Sequence, residues 1–472
     1  MGSIFKHVLF VGGILFQIPF SQVASSLWGK EGEGWNKNRL QDFTHAGYKQ
    51  GLESLPRFDV KINVRALGAK GDGITDDTKA FREAIRQCPP HSALLIPAGT
   101  YILSDTLIIG KGGITLRGEG RGKTVLSFQK GLQELYYGGV KTHWSWEGAM
   151  ILFKGKITDV GIEQMTIRFP DSAYAGHHFN ERGYNGIGFS NGVMDGWIQG
   201  VALINCDLGI YLRDVTQITA TDWSLEFQGV RETQALSGHH GVNCYAQYNL
   251  FHNFEIKGRY VHALSVESGS KAASYNVFSH GKGKDINFDH HGSGTGMINT
   301  NLWTDIDAGI GTDIYSSGGD SGGYWWQNET FWNIYGNLPA RAPNDLGIKS
   351  HDCNFVANAF ENARPAALTG TNHFVERIDP ARIYPKNMYW AQMKLLHNVM
   401  PSILDSMYGS YSGLGRRQAA VAAEYTNDVS LTRNSGATVM EARVGAPISG
   451  NSPVSGNRHA FDFSGRRLPN DK

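Results

Sequence analysis

Asp289, His290 and His291 stand together in the segment NFDHHGSG, and a carboxylate beside two imidazoles is a group that can move protons near neutral pH. Three other segments of similar apolar alternation end in reactive side chains: Arg213 with Asp214, Tyr245, and Glu267. A cation, a phenol, a carboxylate and an imidazole are the parts β-elimination requires. His290 or His291 would take the proton alpha to a uronate carboxylate. Arg213 or Lys284 would neutralise that carboxylate, and Tyr245 would supply the proton to the leaving oxygen. Hydrolysis would instead pair Asp289 with Asp305 or Glu267, one acid protonating the glycosidic oxygen while the other activates water or attacks. The aromatic clusters Tyr136-Tyr137, His143 to Trp146 and Tyr324 to Trp326 lie among glycines. Their rings, Trp144, Trp146, Trp325 and Trp326 above all, offer flat faces for sugar rings. Each group also has a plain structural reading, as a hydrogen-bonded ladder at strand ends or as side chains packed over the body.

Metal chemistry receives little support. Histidine pairs occur at 177–178, 239–240 and 290–291, but adjacent residues of a strand point to opposite faces, so a pair does not by itself chelate one ion. A site assembled from different pairs is conceivable, yet no spaced Cys or carboxylate set accompanies them, and no metal is assigned. Cofactors are unknown; calcium is open but has no specific motif. The turn Gly71-Asp72-Gly73 and the pair Asp76-Asp77 precede a helical stretch, where aspartates cap the helix and brace the turn. Asp285, Asp305 and Asp307 read first as solubilising residues of short strands.

Residues so far apart in sequence converge only if a repeating element stacks them. YNLFHNFEI, YNVFSHGKG, TNLWTDIDA, NETFWNIYG and CNFVANAFE align with Asn249, Asn276, Asn301, Glu329 and Asn354 in one column, at intervals of 25 to 28 residues. That period suits one coil of a solenoid. Asparagine recurring at a bend can bond the backbone and the asparagine of the next coil; Glu329 interrupts this ladder and is expected to point outward. A second strand column has inward candidates Ile187/Phe189, Ile210/Leu212, Val242/Cys244, Leu264/Val266 and Ile286/Phe288. Neighbouring coils then lie about 4.8 Å apart, and the reactive residues gather along one face.

Nearer the N-terminus, VRALGAKGDGITDDTKAFREAI reads as a strand, a glycine-rich turn and a helix over Thr75 to Ile85. Strands follow at Ala93–Ile96, Gly99–Ile102, Leu107–Ile109, Ile114–Leu116 and Thr124–Phe128. With LLIPAGTYIL and ITLRGEG behind it, this stretch of about 65 residues resembles the opening of the pectate-lyase-like superfamily of right-handed β-helices. The resemblance implies a carbohydrate-active coil stack and leaves the reaction open, since sister families include lyases, hydrolases, epimerases and phage depolymerases. GHH at Gly238 lacks the third residue of the polygalacturonase pattern, which weighs against pectin hydrolysis. The expected fold is all-β, a single-stranded right-handed parallel β-helix with a short N-terminal cap helix.

Composition agrees with this architecture. Among 472 residues, 59 glycines against 15 prolines indicate many tight turns, and 18% charged residues exclude global disorder. A net charge of +1 gives no mandate for nucleic acid. Lys6 and His7, an apolar run Val8 to Phe20 and small residues Ala24 to Ser26 have the form of a secretory signal, too short to span a membrane. The expected organisation is a signal peptide at 1–25, an arm at 26–60, the β-helix at 61–365, a capping segment at 366–412 and a flexible tail at 413–472. Four widely spaced cysteines are expected to be buried or singly bridged, and Asn328-Glu329-Thr330 is a glycosylation sequon. The expected product is a secreted polysaccharide lyase acting on a uronate-containing glycan outside the cell, with a polysaccharide as its partner. The alternatives are a hydrolase with paired carboxylates and a non-catalytic glycan-binding β-helix.

Overall fold

A computed structural model describes residues 21–136, 148–176, 181–268, 273–292, 298–312, 314–318, 326–336, 351–359 and 372–398. The signal segment up to residue 20, Tyr137, His143 to Trp146, His177-His178, Tyr324-Trp325 and the tail from 413 lie outside these residues. The described residues all belong to the unit Met1–Gly415; a second unit, Arg416–Lys472, lies outside them.

Parallel pairing between strands roughly one coil apart in sequence builds the body. Leu250 pairs with Val277, Val277 with Leu302, and Leu302 with Thr330, while on another face Ile187, Ile210, Val242, Leu264 and Phe288 fall in register. Among the described residues, 21 strands join this one system. A coil cannot bury its apolar side alone; each inner row is completed by the next coil. The register places Phe251, Phe278, Trp303, Phe331 and Phe355 one above another, with ring centroids 4.7, 4.2, 6.0 and 5.2 Å apart and planes within 11° of parallel. Such stacking contributes about 0.5–1.5 kcal/mol per pair beyond area burial.

Corners are made by residues in the left-handed region, where asparagine and aspartate are tolerated best. Tyr248, Tyr275, Thr300, Asn328 and Asp352 form one such column, with φ between 55° and 62°; Asp222, Asn253, His280, Asp305 and Asn333 form another. Just after the first column runs the asparagine ladder. Asn249 Nδ2 donates to Asn276 Oδ1 at 2.8 Å, Asn276 Nδ2 to Asn301 Oδ1 at 3.0 Å, and Asn301 Nδ2 to Glu329 Oε1 at 2.8 Å. Glu329 does not point outward: it is fully buried, accepts from the Asn301 amide and from Trp303 Nε1, and continues the ladder. A carboxylate can replace the asparagine acceptor because three donors converge on it.

The N-terminal helix spans Thr78–Gln87 and buries Phe81, Ala84 and Ile85. Asp77 carries the N-cap position without capping the helix through its side chain; its carboxylate instead accepts from the Lys70 and Gly71 amides. Asp72 accepts from the Thr75 and Ile74 amides, which hold its carboxyl down at about 2. Val64–Leu67, expected as strand, is a short 3-10 turn after strand Val60–Asn63.

Residues 21–58 do not wrap an end of the stack. Arg39 Nε donates to Asn354 Oδ1 near the last described coils, whereas Tyr48 Oη donates to Asp159 Oδ1 and Lys49 Nζ to Asp195 Oδ2 near the first. The arm therefore runs along the flank before the chain enters its first coil. Helix Met388–His397 lies on the same flank rather than on the last coil: the Met388 amide donates to Thr304 Oγ1, and Tyr389 Oη to the Ala46 carbonyl. Together they cover the outward row Leu250, Val277, Leu302 and Trp332. Cys88, Cys206, Cys244 and Cys353 are all free and buried, so none of the four is bridged. No helix among the described residues is long and apolar enough to cross a membrane.

Candidate functional site

The outward side of one strand column carries three rows of reactive groups. In the first, Arg213 pairs in register with Tyr245, and Glu267 with His291. In the second, Tyr211 pairs with Asn243, Asn243 with Ser265, and Ser265 with Asp289; in the third, Leu208 pairs with His240 and His240 with His262.

The third row exists because strict alternation fails at the corner. Ala263 and Leu264 are consecutive and both lie in the core. At Gly241, one coil earlier, a Cβ would run into the Ala263 carbonyl and the core side chain of Leu225. With two successive residues turned inward, the residues on both sides of them turn outward together, and His240 and His262 join Asn243 and Ser265. The same bend brings His239 onto that side, its ring centroid 4.2 Å from that of His240. Adjacent histidines here share a face, contrary to the expectation from a straight strand.

The cluster is dense and buried. His239, His240 and His262 have ring centroids within 5.2 Å of one another. Each presents Nδ1 toward a carboxylate: His239 to Glu181 at 3.0 Å, His262 to Asp289 at 3.2 Å and His240, more loosely, to Glu267 at 3.9 Å. Ser265 Oγ lies 2.7 Å from Glu267 Oε1 and 3.2 Å from Asp289 Oδ2, so one hydroxyl ties the two acids. Tyr174 Oη reaches Glu181 Oε1 at 3.4 Å. Behind His239, the fully buried Arg231 donates to Asp207 Oδ1 at 2.8 Å, and the Asp207 carbonyl accepts from the His239 amide. Arg213 lies over the Tyr245 ring, 5.3 Å from its centroid.

Asp289, Glu267, Tyr245 and Arg213 thus stand where the strand alignment put them. His290 does not. It is fully buried, pairs in register with Val266, and packs near Trp303 and Phe331 with Nε2 3.4 Å from Glu329 Oε2. It belongs to the core and cannot meet a glycan. Ile286 and Phe288 are both in the core as expected, but the register partners of Leu264 and Val266 are Phe288 and His290, because Asn287 occupies the corner and accepts from the Ala263 amide. His291 lies on the outward row by register, but its side chain is outside the described residues. Lys284 is exposed on strand Val277–Asp285, ahead of the corner, and not on the strand bearing Asp289.

Trp144, Trp146 and Trp325 lie outside the described residues; Trp326 opens strand Trp326–Gln327, its side chain likewise outside them. Asp305 is a corner residue whose carboxylate holds His280 Nδ1 at 2.8 Å and Asn333 Nδ2 at 3.2 Å, and the bend separates it from Asp307. Asp285 is tied to Arg259 and Thr312. These aspartates brace corners. The residues that spacing missed are Glu181, Asn243, His262 and Ser265; superposing GHHGVNCY on YVHALSVE would have paired His240 with His262.

A family model described as rhamnogalacturonase A/epimerase, pectate lyase-like, matches residues 61–180. Among curated proteins, the chain is 46% identical over 52 residues to a non-secreted LysM effector, LysM19, of Penicillium expansum, a match spanning 11% of this chain and 4% of that protein. It is 36% identical over 100 residues to alginate lyase 7 of Azotobacter vinelandii, spanning 18% of this chain and 11% of that one. The matched segments thus make up a small part of these relatives' own lengths. Among solved structures, an endo-xylogalacturonan hydrolase from Aspergillus tubingensis aligns at 14% identity and a TM-score of 0.44, covering 68% of this chain and 93% of that one. Coil after coil pairs in parallel, so the described residues form a parallel β-helix, and its opening segment is similar to the pectate lyase-like family whose model matches residues 61–180.

Proposed function

We propose that the protein is a secreted polysaccharide-cleaving enzyme acting at the outward rows, most simply by β-elimination on a uronate-containing glycan. The observation that carries this reading is the placement of a guanidinium, a phenol and a carboxylate on successive coils of one face: Arg213 beside Tyr245, with Glu267 on the next coil. Elimination needs these three functions, a cation for the uronate carboxylate, a proton carrier for the leaving oxygen and a base for the alpha proton. Arg213 and Tyr245 are half-buried, so a polymer lying along the stack can reach them, while Glu267 sits beneath. His290, in the core, takes no part. Similarity to part of an alginate lyase is in keeping with a uronate substrate.

One observation favours hydrolysis as a second reading. Because a single hydroxyl contacts both acids, oxygens of Glu267 and Asp289 lie within about 6 Å of each other. Retaining glycosidases hold their carboxyl groups roughly 5–5.5 Å apart. The test is incubation of the mature protein with a panel of acidic and neutral polysaccharides, scoring new reducing ends and ultraviolet absorbance together. An absorbing unsaturated product supports elimination, since only that reaction creates the conjugated double bond. Reducing ends without absorbance reassign the site to hydrolysis, and retention of glycan with neither product makes the protein a binding module.

A further inference from the structure

We propose that His239, His240 and His262 bind one divalent transition-metal ion of the zinc type. One ring nitrogen from each lies within 4.8 Å of the corresponding nitrogens of the other two, and the three residues are 3%, 3% and 8% exposed. A tetrahedral zinc with Zn–N bonds of about 2.0–2.1 Å needs nitrogens about 3.3 Å apart. Binding therefore draws the nitrogens together by up to about 1.5 Å.

The surroundings are those of metal-binding imidazoles. Glu181, Glu267 and Asp289 lie on the Nδ1 side of the three rings, at 3.0, 3.9 and 3.2 Å. Metal-binding imidazoles commonly face a carboxylate that raises the basicity of the ring, and these three acids stand close enough to take that part. Three carboxylates around three imidazoles also create negative potential in a buried volume, which favours a cation. An independent observation points to a ligand at the same place. Asn243, fully buried in the row between Tyr211 and Ser265, has neither its Oδ1 nor its Nδ2 hydrogen-bonded among the described residues. An orphaned buried amide costs about 1–3 kcal/mol per group, and is found where water, an ion's hydration or substrate completes the site.

The donor set selects the ion. Imidazoles suit zinc, copper, iron and nickel, whereas calcium takes six to eight oxygens, so calcium is not the expected occupant. Three protein ligands leave a fourth position for water or a substrate oxygen, the pattern of catalytic rather than structural zinc. This inference deepens the proposed function, because it adds an electrophile to the same cluster. It does not need that function to be correct, since the ion is measured without substrate.

The test uses the full mature chain, stripped with chelator, equilibrated with micromolar Zn2+, desalted and analysed for metal by mass spectrometry. The expected result is about one zinc per chain, lost in His240→Ala and His262→Ala. Glu181→Gln should retain the fold by circular dichroism yet weaken binding about 10- to 100-fold. Because the histidine variants could fail to fold, the wild-type protein is also loaded with Cu2+ and examined by pulsed electron paramagnetic resonance for coupling to imidazole nitrogen. Zinc absent from the wild type, zinc retained by a folded His240→Ala/His262→Ala protein, or bound Cu2+ without imidazole coupling would each overturn the proposal. An active enzyme that holds no metal would remove this inference and leave the proposed function standing. A metal-binding protein without glycan products would do the reverse.

Discussion

Two polar arrays run along this stack, and they differ in how their members meet. In the asparagine ladder each amide donates to the acceptor one coil away, so Asn249, Asn276, Asn301 and Glu329 complete one another inside the core. In the histidine cluster, imidazole lies on imidazole and acid beside acid, with Ser265 shared between Glu267 and Asp289. Both use the same coil spacing. The ladder is a closed set that stabilises the fold, while the cluster gathers the imidazoles and acids to which the proposed chemistry and metal binding are assigned.

The difference can be tested by breaking each array in turn. The largest effect is expected from Glu267→Gln, which should lower turnover on the responsive polysaccharide by about 10²- to 10⁴-fold, the usual contribution of a general base. Its thermal midpoint should stay close to wild type; a drop in stability matching the lost activity would return Glu267 to a structural role. Asn276→Ala should do the opposite. It removes an acceptor used by the Asn249 amide and side chain and a donor to Asn301 and to the Ala246 carbonyl, at about 2–4 kcal/mol in denaturant unfolding, with turnover per folded molecule unchanged.

Glu329→Gln is expected to cost less, about 1–3 kcal/mol, since its oxygen can still accept from Asn301 while its new amide opposes the Trp303 indole N–H. The smallest effect concerns pH. Burial above all, and then neighbouring His280, hold the His252 pKa well below its usual 6.5. Asp305 engages His280 on the far side, Ser279 Oγ lies 3.3 Å from His252 Nδ1, and Trp390 packs against both rings. The unfolded chain therefore takes up a proton here before the folded one does. The stabilisation is complete above about pH 6.5 and is lost as pH falls from there toward the lower folded value. Melting midpoints of wild type and His252→Gln should converge as pH drops from 7 to 5; parallel curves would deny His252 this role.

Much of the fold was legible because it repeats. The column from Asn249 to Asn354 aligned by spacing alone, and strands Leu107–Ile109 and Thr124–Phe128 have the bounds their patterns indicated. Glu329 is buried although its charge indicates exposure, because position outweighs charge: in that column an acceptor meets both the backbone and the side-chain amide of the preceding coil. His290 has the chemistry of a base but not the position, since alternation from Phe288 turns it inward.

The sequence by itself determined the coil period, the ladder and the outward side of Arg213, Tyr245, Glu267 and Asp289, since each follows from a local pattern repeated at a fixed interval. Only the tertiary structure decided that His239, His240 and His262 share one face. That depends on two successive inward residues at a corner, Gly241 with Val242 and Ala263 with Leu264, and such a bend is set by the packing of neighbouring coils, which no single strand's alternation records. The flank was likewise decided in three dimensions, because an arm from 21–58 and a helix from Met388–His397 meet there across more than 300 residues of chain.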